Sequence, residues 1–269
     1  MTADIGAALK AAFAFWRTQT QRVPGAIILV VLAGLAAAVE PRLGWPPLWL
    51  SLSGLVQVLL SVVAYGALFR LALASSHPGD KTFAIGPAGL QWTMVEWRLL
   101  GALALTVFFA FLVLIFLVFA AFLAAIVVYA MEGAKPTTPA GFFTSSGGIT
   151  LIGILVLGAI PLVWALVRLS LAMPATVDRG RVQVFATWDL TKGHVVAILI
   201  SAIIVGLPVL VLGMAASFAK QSGMYGLATG LRLVTALVAG GYQFPMAAGL
   251  YSHFYEVFGG RGAADTPHN

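Results

Sequence analysis

The amino-acid sequence predicts an all-α, polytopic membrane protein with six transmembrane helices, amphipathic interfacial helices and a threefold internal repeat. Of its 269 residues, 61% are hydrophobic and 9% are charged, whereas a typical soluble domain is about 25% charged. The chain also contains six long uncharged stretches, and its basic residues collect at alternate ends of them. These observations exclude a soluble globular domain, a disordered chain and a coiled coil.

Uncharged stretches define the predicted spans, because a helix that crosses a bilayer needs about 20 largely apolar residues. The stretches do not alternate apolar with polar residues as barrel strands do. In lipid, the backbone of each must satisfy its own hydrogen bonds as a helix. The third stretch would be about 50 Å long against a hydrocarbon core of about 30 Å, so it must tilt or protrude. The predicted spans are residues 23–39, 48–70, 99–131, 148–171, 194–217 and 227–254.

Basic residues set the predicted orientation, because cytoplasmic loops carry an excess of Lys and Arg. One side collects eleven: Lys10, Arg17, Arg22, Arg70, Lys81, Arg98, Arg168, Arg179, Arg181, Lys192 and Arg261. The other side collects four: Arg42, Lys135, Lys220 and Arg232. We therefore expect a multi-pass protein with both termini in the cytoplasm. As an alternative, Val23–Leu35 followed by three alanines also fits the apolar region of a cleaved signal peptide.

A common entry into the odd-numbered spans indicates the internal repeat. A Trp stands six residues before a basic or His residue in each case, a pairing that anchors helices at lipid headgroups. The predicted anchors are Trp16 with Arg22, Trp92 with Arg98, and Trp188 with Lys192 and His194. We predict an amphipathic interfacial helix ahead of each entry. The chain then forms a single membrane domain, 1–269, with repeat units at about 4–76, 86–175 and 180–258 and a short flexible tail, 259–269.

The segment 169–199 carries a family resemblance. Ala172-Met173-Pro174 is followed by Trp188-Asp189-Leu190-Thr191-Lys192-Gly193. This pattern resembles the YciC-like and glycerophosphodiester phosphodiesterase membrane-domain group, which implies a six-helix bacterial inner-membrane protein. The family usually has an aromatic residue shortly after the glycine, and His194-Val195-Val196 departs from that pattern. Some relatives carry a soluble hydrolase domain. Only a short tail follows the sixth predicted span, so we do not expect their hydrolase activity here.

Polar residues offer few candidates for chemistry. The chain has no cysteine, and its four histidines do not pair at metal-ligand spacing. No carboxylate is placed at the centre of a predicted span, where proton relays need one. We therefore predict no catalytic residue, no metal and no cofactor. The bases form no run, so the expected partners are membrane lipids rather than nucleic acid, with another membrane protein or a second copy as further candidates.

Three arginines are candidates for contact with a lipid phosphate or another anion. Arg70 and Arg168 occupy equivalent places at the ends of the second and fourth predicted spans. Arg232 lies about two turns inside the sixth. The simpler alternatives are orientation by the positive-inside rule for the first two and snorkelling to the headgroups for Arg232.

The predicted function is that of a non-enzymatic integral inner-membrane protein. It would act through lipid contact or as an accessory subunit of an envelope assembly. The alternative is a permease or channel for a small or amphipathic solute, with Gln57, Gln243 or Arg232 lining a continuous polar cavity. A third interpretation, an enzyme at the cytoplasmic interface, would use His194, Asp178 and Asp189, but no residue spacing supports it.

Overall fold

The structure is a computed structural model that describes residues 4–39, 47–74, 83–132 and 145–259. Every regular element within those ranges is a helix. Short 3-10 turns lie at Thr20–Arg22 and Pro87–Gly89, and a π turn, Ala239–Gln243, joins α9 to α10. The α-helices are α1 Ile5–Gln19, α2 Pro24–Val39, α3 Pro47–Ala74, α4 Met94–Glu132, α5 Ser146–Leu169, α6 Ala172–Arg179, α7 Thr187–Leu190, α8 Val195–Gln221, α9 Tyr225–Val238 and α10 Phe244–Gly259.

The described helices are those of a membrane protein. Five stretches are long and apolar enough to cross a bilayer: Ser51–Ala74, Pro87–Val128, Ser146–Arg179, Val195–Gln221 and Tyr225–Gly259. A sixth is counted when α1 and α2, which are bent by 101° at the break between them, are taken together. The prediction of an all-α membrane protein is confirmed, whereas the number six and the repeat stay predictions. His77, one of the four histidines of the sequence, and residues 260–269 of the predicted tail lie outside the described residues.

Two compact units make up the fold. The larger unit, Met1–Ala102 with Ser170–Asn269, is organised around the last helix. Helix α10 packs against α1, α3, α6 and α8. Its buried residues are Pro245, Met246, Ala248, Gly249, Leu250, Ser252, Phe254 and Tyr255. A helix that buries residues on nearly every side is the core of its unit.

The N-terminal helix is packed into this larger unit. The Asp4 carboxylate accepts hydrogen bonds from the Gly6 and Ala7 amides and caps α1. Ala8 and Ala12, one turn apart on α1, are fully buried. A β-carbon at Gly249 of α10 would lie 3.0 Å from Phe15. The small residues therefore let α1 lie close against α10.

The smaller unit, Leu103–Leu169, contains most of α4 and all of α5. Leu117 of α4 fills the space where a β-carbon at Gly158 would lie, and Ala121 and Ala125 are buried. Most large apolar side chains of the unit remain exposed, for example Phe116 at 74% and Leu157 at 67%. We call this unit the α4–α5 hairpin.

The segment ahead of α4 differs from the predicted interfacial helix. Residues 90–93 are not helical, and α4 begins at Met94 and runs on for 39 residues. Just ahead of this segment, Ala88 and Gly89 of the 3-10 turn Pro87–Gly89 adopt positive φ values of 55° and 79°, which a continuous helix does not contain. Thr93 then caps α4 (below). Ahead of α8, the helix at the corresponding place, α7, has only four residues.

Candidate functional site

A buried ion pair joins the end of α3 to the start of α4. Arg70 Nη2 lies 2.7 Å from Glu96 Oε1, and the two side chains are 2% and 0% exposed. A buried charge is costly unless it is paired and hydrogen-bonded. Each of the two side chains therefore needs the other to compensate its buried charge.

Thr93 completes this cluster as the N-cap of α4. Its amide and its hydroxyl each donate to Glu96 Oε2 at 2.7 Å, and its Oγ1 accepts from the Val95 amide at 3.3 Å. This reciprocal pattern is a capping box. Arg70 Nη2 also donates to Thr93 Oγ1 at 2.8 Å. The guanidinium thus holds both residues of the cap.

Gly66 provides the space for the carboxylate. It stands one turn before Arg70 on α3, and a β-carbon there would lie 2.5 Å from Glu96 Oε1. Glu96 thus pairs with the guanidinium of the buried Arg70. The structure shows an internal ion pair at Arg70, and contact of this residue with lipid stays a prediction.

A second polar cluster ties α6 to α10. The Tyr255 hydroxyl donates to Asp178 Oδ2 at 2.8 Å, and both residues are buried. The Arg179 side chain also reaches the Tyr255 hydroxyl. Helix α6 ends at Gly180, whose φ of 59° is the left-handed conformation that glycine favours. The acid is therefore held inside the protein while the neighbouring arginine lies nearer the surface.

The motif that carries the family resemblance has a structural explanation. The Thr191 hydroxyl donates to the Thr187 and Trp188 carbonyls at 3.1 and 3.2 Å, which caps the short helix α7. Gly193 follows with a φ of 81°. The ring of His194 stacks on Phe258 at 4.4 Å. Thr191 and Gly193 therefore form the turn that leads into α8.

Trp16 lies inside the larger unit rather than only at its surface. Its Nε1 donates to the Gly241 carbonyl at 2.7 Å, and its ring contacts Tyr242 edge-on at 5.5 Å. Gly241 belongs to the π turn, where the regular i→i−4 hydrogen bonds are interrupted. Trp16 thus satisfies a carbonyl of the last span from the N-terminal helix.

A basic and aromatic surface forms where the start of α4 meets the segment after α6. A β-carbon at Gly180 would lie 3.3 Å from Arg98 Nη1, and one at Gly101 would lie 3.7 Å from Val182. Large apolar side chains stay exposed on both sides of this contact, including Trp97 and Phe185. We call Trp97, Arg98, Arg179, Arg181, Val182 and Phe185 the basic–aromatic surface.

The remaining predicted residues lie on several different elements. The Arg168 guanidinium lies 4.5 Å over the Trp164 ring in the α4–α5 hairpin, a cation–π geometry. Arg232 is partly exposed on α9, and Arg22 and Lys192 are exposed. Trp92 contacts Trp97 edge-on at 5.2 Å, and Trp188 is partly buried.

Glu96, Thr93 and Tyr255 were not among the residues that the sequence singled out. The capping box Thr93-x-x-Glu96 could have been read from the sequence, whereas no local pattern marks Tyr255. Of the enzyme candidates, Asp178 is buried against Tyr255, Asp189 is exposed, and His194 stacks on an aromatic ring. In the part of the chain that the structure describes, no group of three or more His, Asp or Glu side chains could hold a metal ion.

Searches against protein-family models, curated proteins and solved structures found no match.

Proposed function

We propose that this protein is a non-enzymatic integral membrane protein that acts through contact with lipid. The observation that carries the proposal is the α4–α5 hairpin. Its apolar side chains point outward around both helices, with Phe116 and Leu157 among the most exposed. Exposed apolar area of this extent is stable only against acyl chains or an apolar partner. Lipid is the partner that contacts the outward-facing helix surfaces of a membrane protein.

The finer assignment follows the sequence. The protein would lie in a bacterial inner membrane with six spans, the first of them 23–39 at α2 with α1 as an interfacial helix ahead of it, and with both termini in the cytoplasm. The resemblance to the YciC-like group and the distribution of basic residues support this arrangement.

The absence of cysteine from the sequence provides a clean test of topology. Single cysteines at Lys192 and Lys220, both exposed, are labelled in intact cells with a thiol reagent that does not cross the membrane. We expect labelling at K220C and protection of K192C until the cells are opened. The reverse pattern would contradict the orientation.

The lipid role is tested on the protein extracted gently with its native lipids. Native mass spectrometry should detect retained phospholipid, and incubation with phospholipids or nucleotides should yield no product. Measured turnover by the pure protein, abolished by D178N or H194A, would replace the proposal with an enzyme. Retention of another membrane protein without lipid would favour an accessory subunit.

A further inference from the structure

Three arginines gather around the left-handed glycine that ends α6. Arg179 and Arg181 flank Gly180 in the chain, and Arg98 of α4 extends to within contact distance of it. Any side chain at Gly180 would both strain its φ of 59° and crowd Arg98. Glycine here leaves room for the Arg98 guanidinium beside the segment that carries Arg179 and Arg181.

The outward charge of this segment is positive. Arg181 is exposed, and Arg98 and Arg179 are partly exposed. Asp178, the acid next to them in the chain, is fully buried and accepts a hydrogen bond from Tyr255. Arg179 lies in the last turn of α6, a position that favours a cation because the last carbonyls of a helix carry partial negative charge.

Apolar side chains continue the same surface. Val182 and Phe185 follow Arg181 and are exposed, as is Trp97 beside Arg98. Bases next to exposed aromatic residues match the boundary of a bilayer, where phosphates lie just above the first acyl carbons. A soluble anion would satisfy the arginines but not the apolar side chains.

We propose that the basic–aromatic surface binds the phosphate of an anionic phospholipid, with Arg98 and Arg181 as its ligands and Val182 and Phe185 against the acyl chains. Arginine suits this task because its planar fork can bind two phosphate oxygens at once. The proposal rests on the proposed lipid contact and names the lipid class and the residues. It differs from the contacts predicted at Arg70, Arg168 and Arg232.

The test compares three ligands on the full chain in a neutral detergent. Short-chain phosphatidylglycerol, phosphatidylcholine with the same chains, and inorganic phosphate are each titrated, and bound molecules are counted by native mass spectrometry. We expect phosphatidylglycerol to bind, and R98Q and R181Q each to weaken its apparent Kd about fivefold. R17Q removes an exposed arginine of α1 from the same predicted side and should leave the Kd unchanged.

Each other outcome overturns the proposal in a recognisable way. Equal weakening by R17Q would mean general surface charge rather than a site. If inorganic phosphate binds saturably and competes with phosphatidylglycerol, the site recognises a soluble anion and the acyl chains play no part in binding. If the wild type retains lipid and R98Q and R181Q retain it equally well, the lipid binds elsewhere, and the proposed function still stands. Failure of the wild type to retain any lipid would remove the proposed function itself. R181Q covers the case in which R98Q does not fold, since Arg181 is exposed.

Discussion

Loss of the Glu96 carboxylate should destabilise the larger unit severely. Glu96 is the acid paired with Arg70, and the two charged side chains are 0% and 2% exposed. Replacing Glu96 by Gln keeps an oxygen for the Thr93 amide but removes the negative charge. Replacing it by Ala removes the charge and half of the capping box. The two variants therefore separate the ion pair from the cap.

The expected magnitudes follow from burial. Removing one partner of a buried pair leaves an uncompensated charge and costs about 3–5 kcal/mol of unfolding free energy. Loss of a cap costs about 1 kcal/mol. E96Q should therefore lose about 3–5 kcal/mol and E96A about 1 kcal/mol more. The double variant R70M/E96L removes both charges and should recover most of the loss, because apolar replacement of a whole buried pair is often neutral.

The assay is equilibrium unfolding in detergent micelles, followed by tryptophan fluorescence. D189N, which neutralises an exposed acid, is the matched control and should behave as wild type. G66A adds a coupled test. In the wild type the new β-carbon would lie 2.5 Å from Glu96 Oε1, so the substitution should be destabilising. In the E96A background that oxygen is absent, so the same substitution should cost much less stability. Wild-type stability of E96A, or no recovery in R70M/E96L, would refute the buried pair.

Three further predictions concern single contacts and use the same unfolding assay. W16F removes the hydrogen bond to Gly241 and should cost about 1 kcal/mol; an unchanged midpoint would contradict that bond. Y255F leaves Asp178 buried without its 2.8 Å donor and should cost about 1–3 kcal/mol, an effect absent in a D178A background. G193A forces alanine to a φ of 81° and should cost about 1–2 kcal/mol, whereas G213A, with open space around it, should be neutral or stabilising.

The long helices could be predicted from the sequence because charge marks their ends. The predicted span 194–217 corresponds to α8, Val195–Gln221, and the predicted span 148–171 to α5, Ser146–Leu169. Uncharged stretches of this length have no other stable conformation in lipid. The prediction of a separate interfacial helix before α4 is wrong, because residues 90–93 are not helical and the Thr93–Glu96 cap starts α4 at Met94, which the hydrophobic pattern alone does not show.

The contacts that build the candidate site could not be predicted in the same way. Arg70 and Glu96 lie 26 positions apart, on helices whose relative rotation no spacing determines. Trp16 was interpreted as a headgroup anchor, yet its hydrogen-bond partner lies 225 positions away in a π turn. Arg98 and Gly180 lie close together because the start of α4 is next to the end of α6 in the folded protein. Each of these depends on packing between helices rather than on a local pattern.

The most direct test of lipid contact uses spin labels on the α4–α5 hairpin. F116C and L157C are labelled in a reconstituted bilayer, and collisions with oxygen and with a water-soluble nickel complex are measured. We expect high oxygen and low nickel accessibility at both sites, since both would face acyl chains, with the opposite ratio at the exposed control K192C. High nickel accessibility at Phe116 or Leu157 would indicate a water-filled pathway, and low accessibility to both reagents would indicate a protein partner; either would contradict lipid contact.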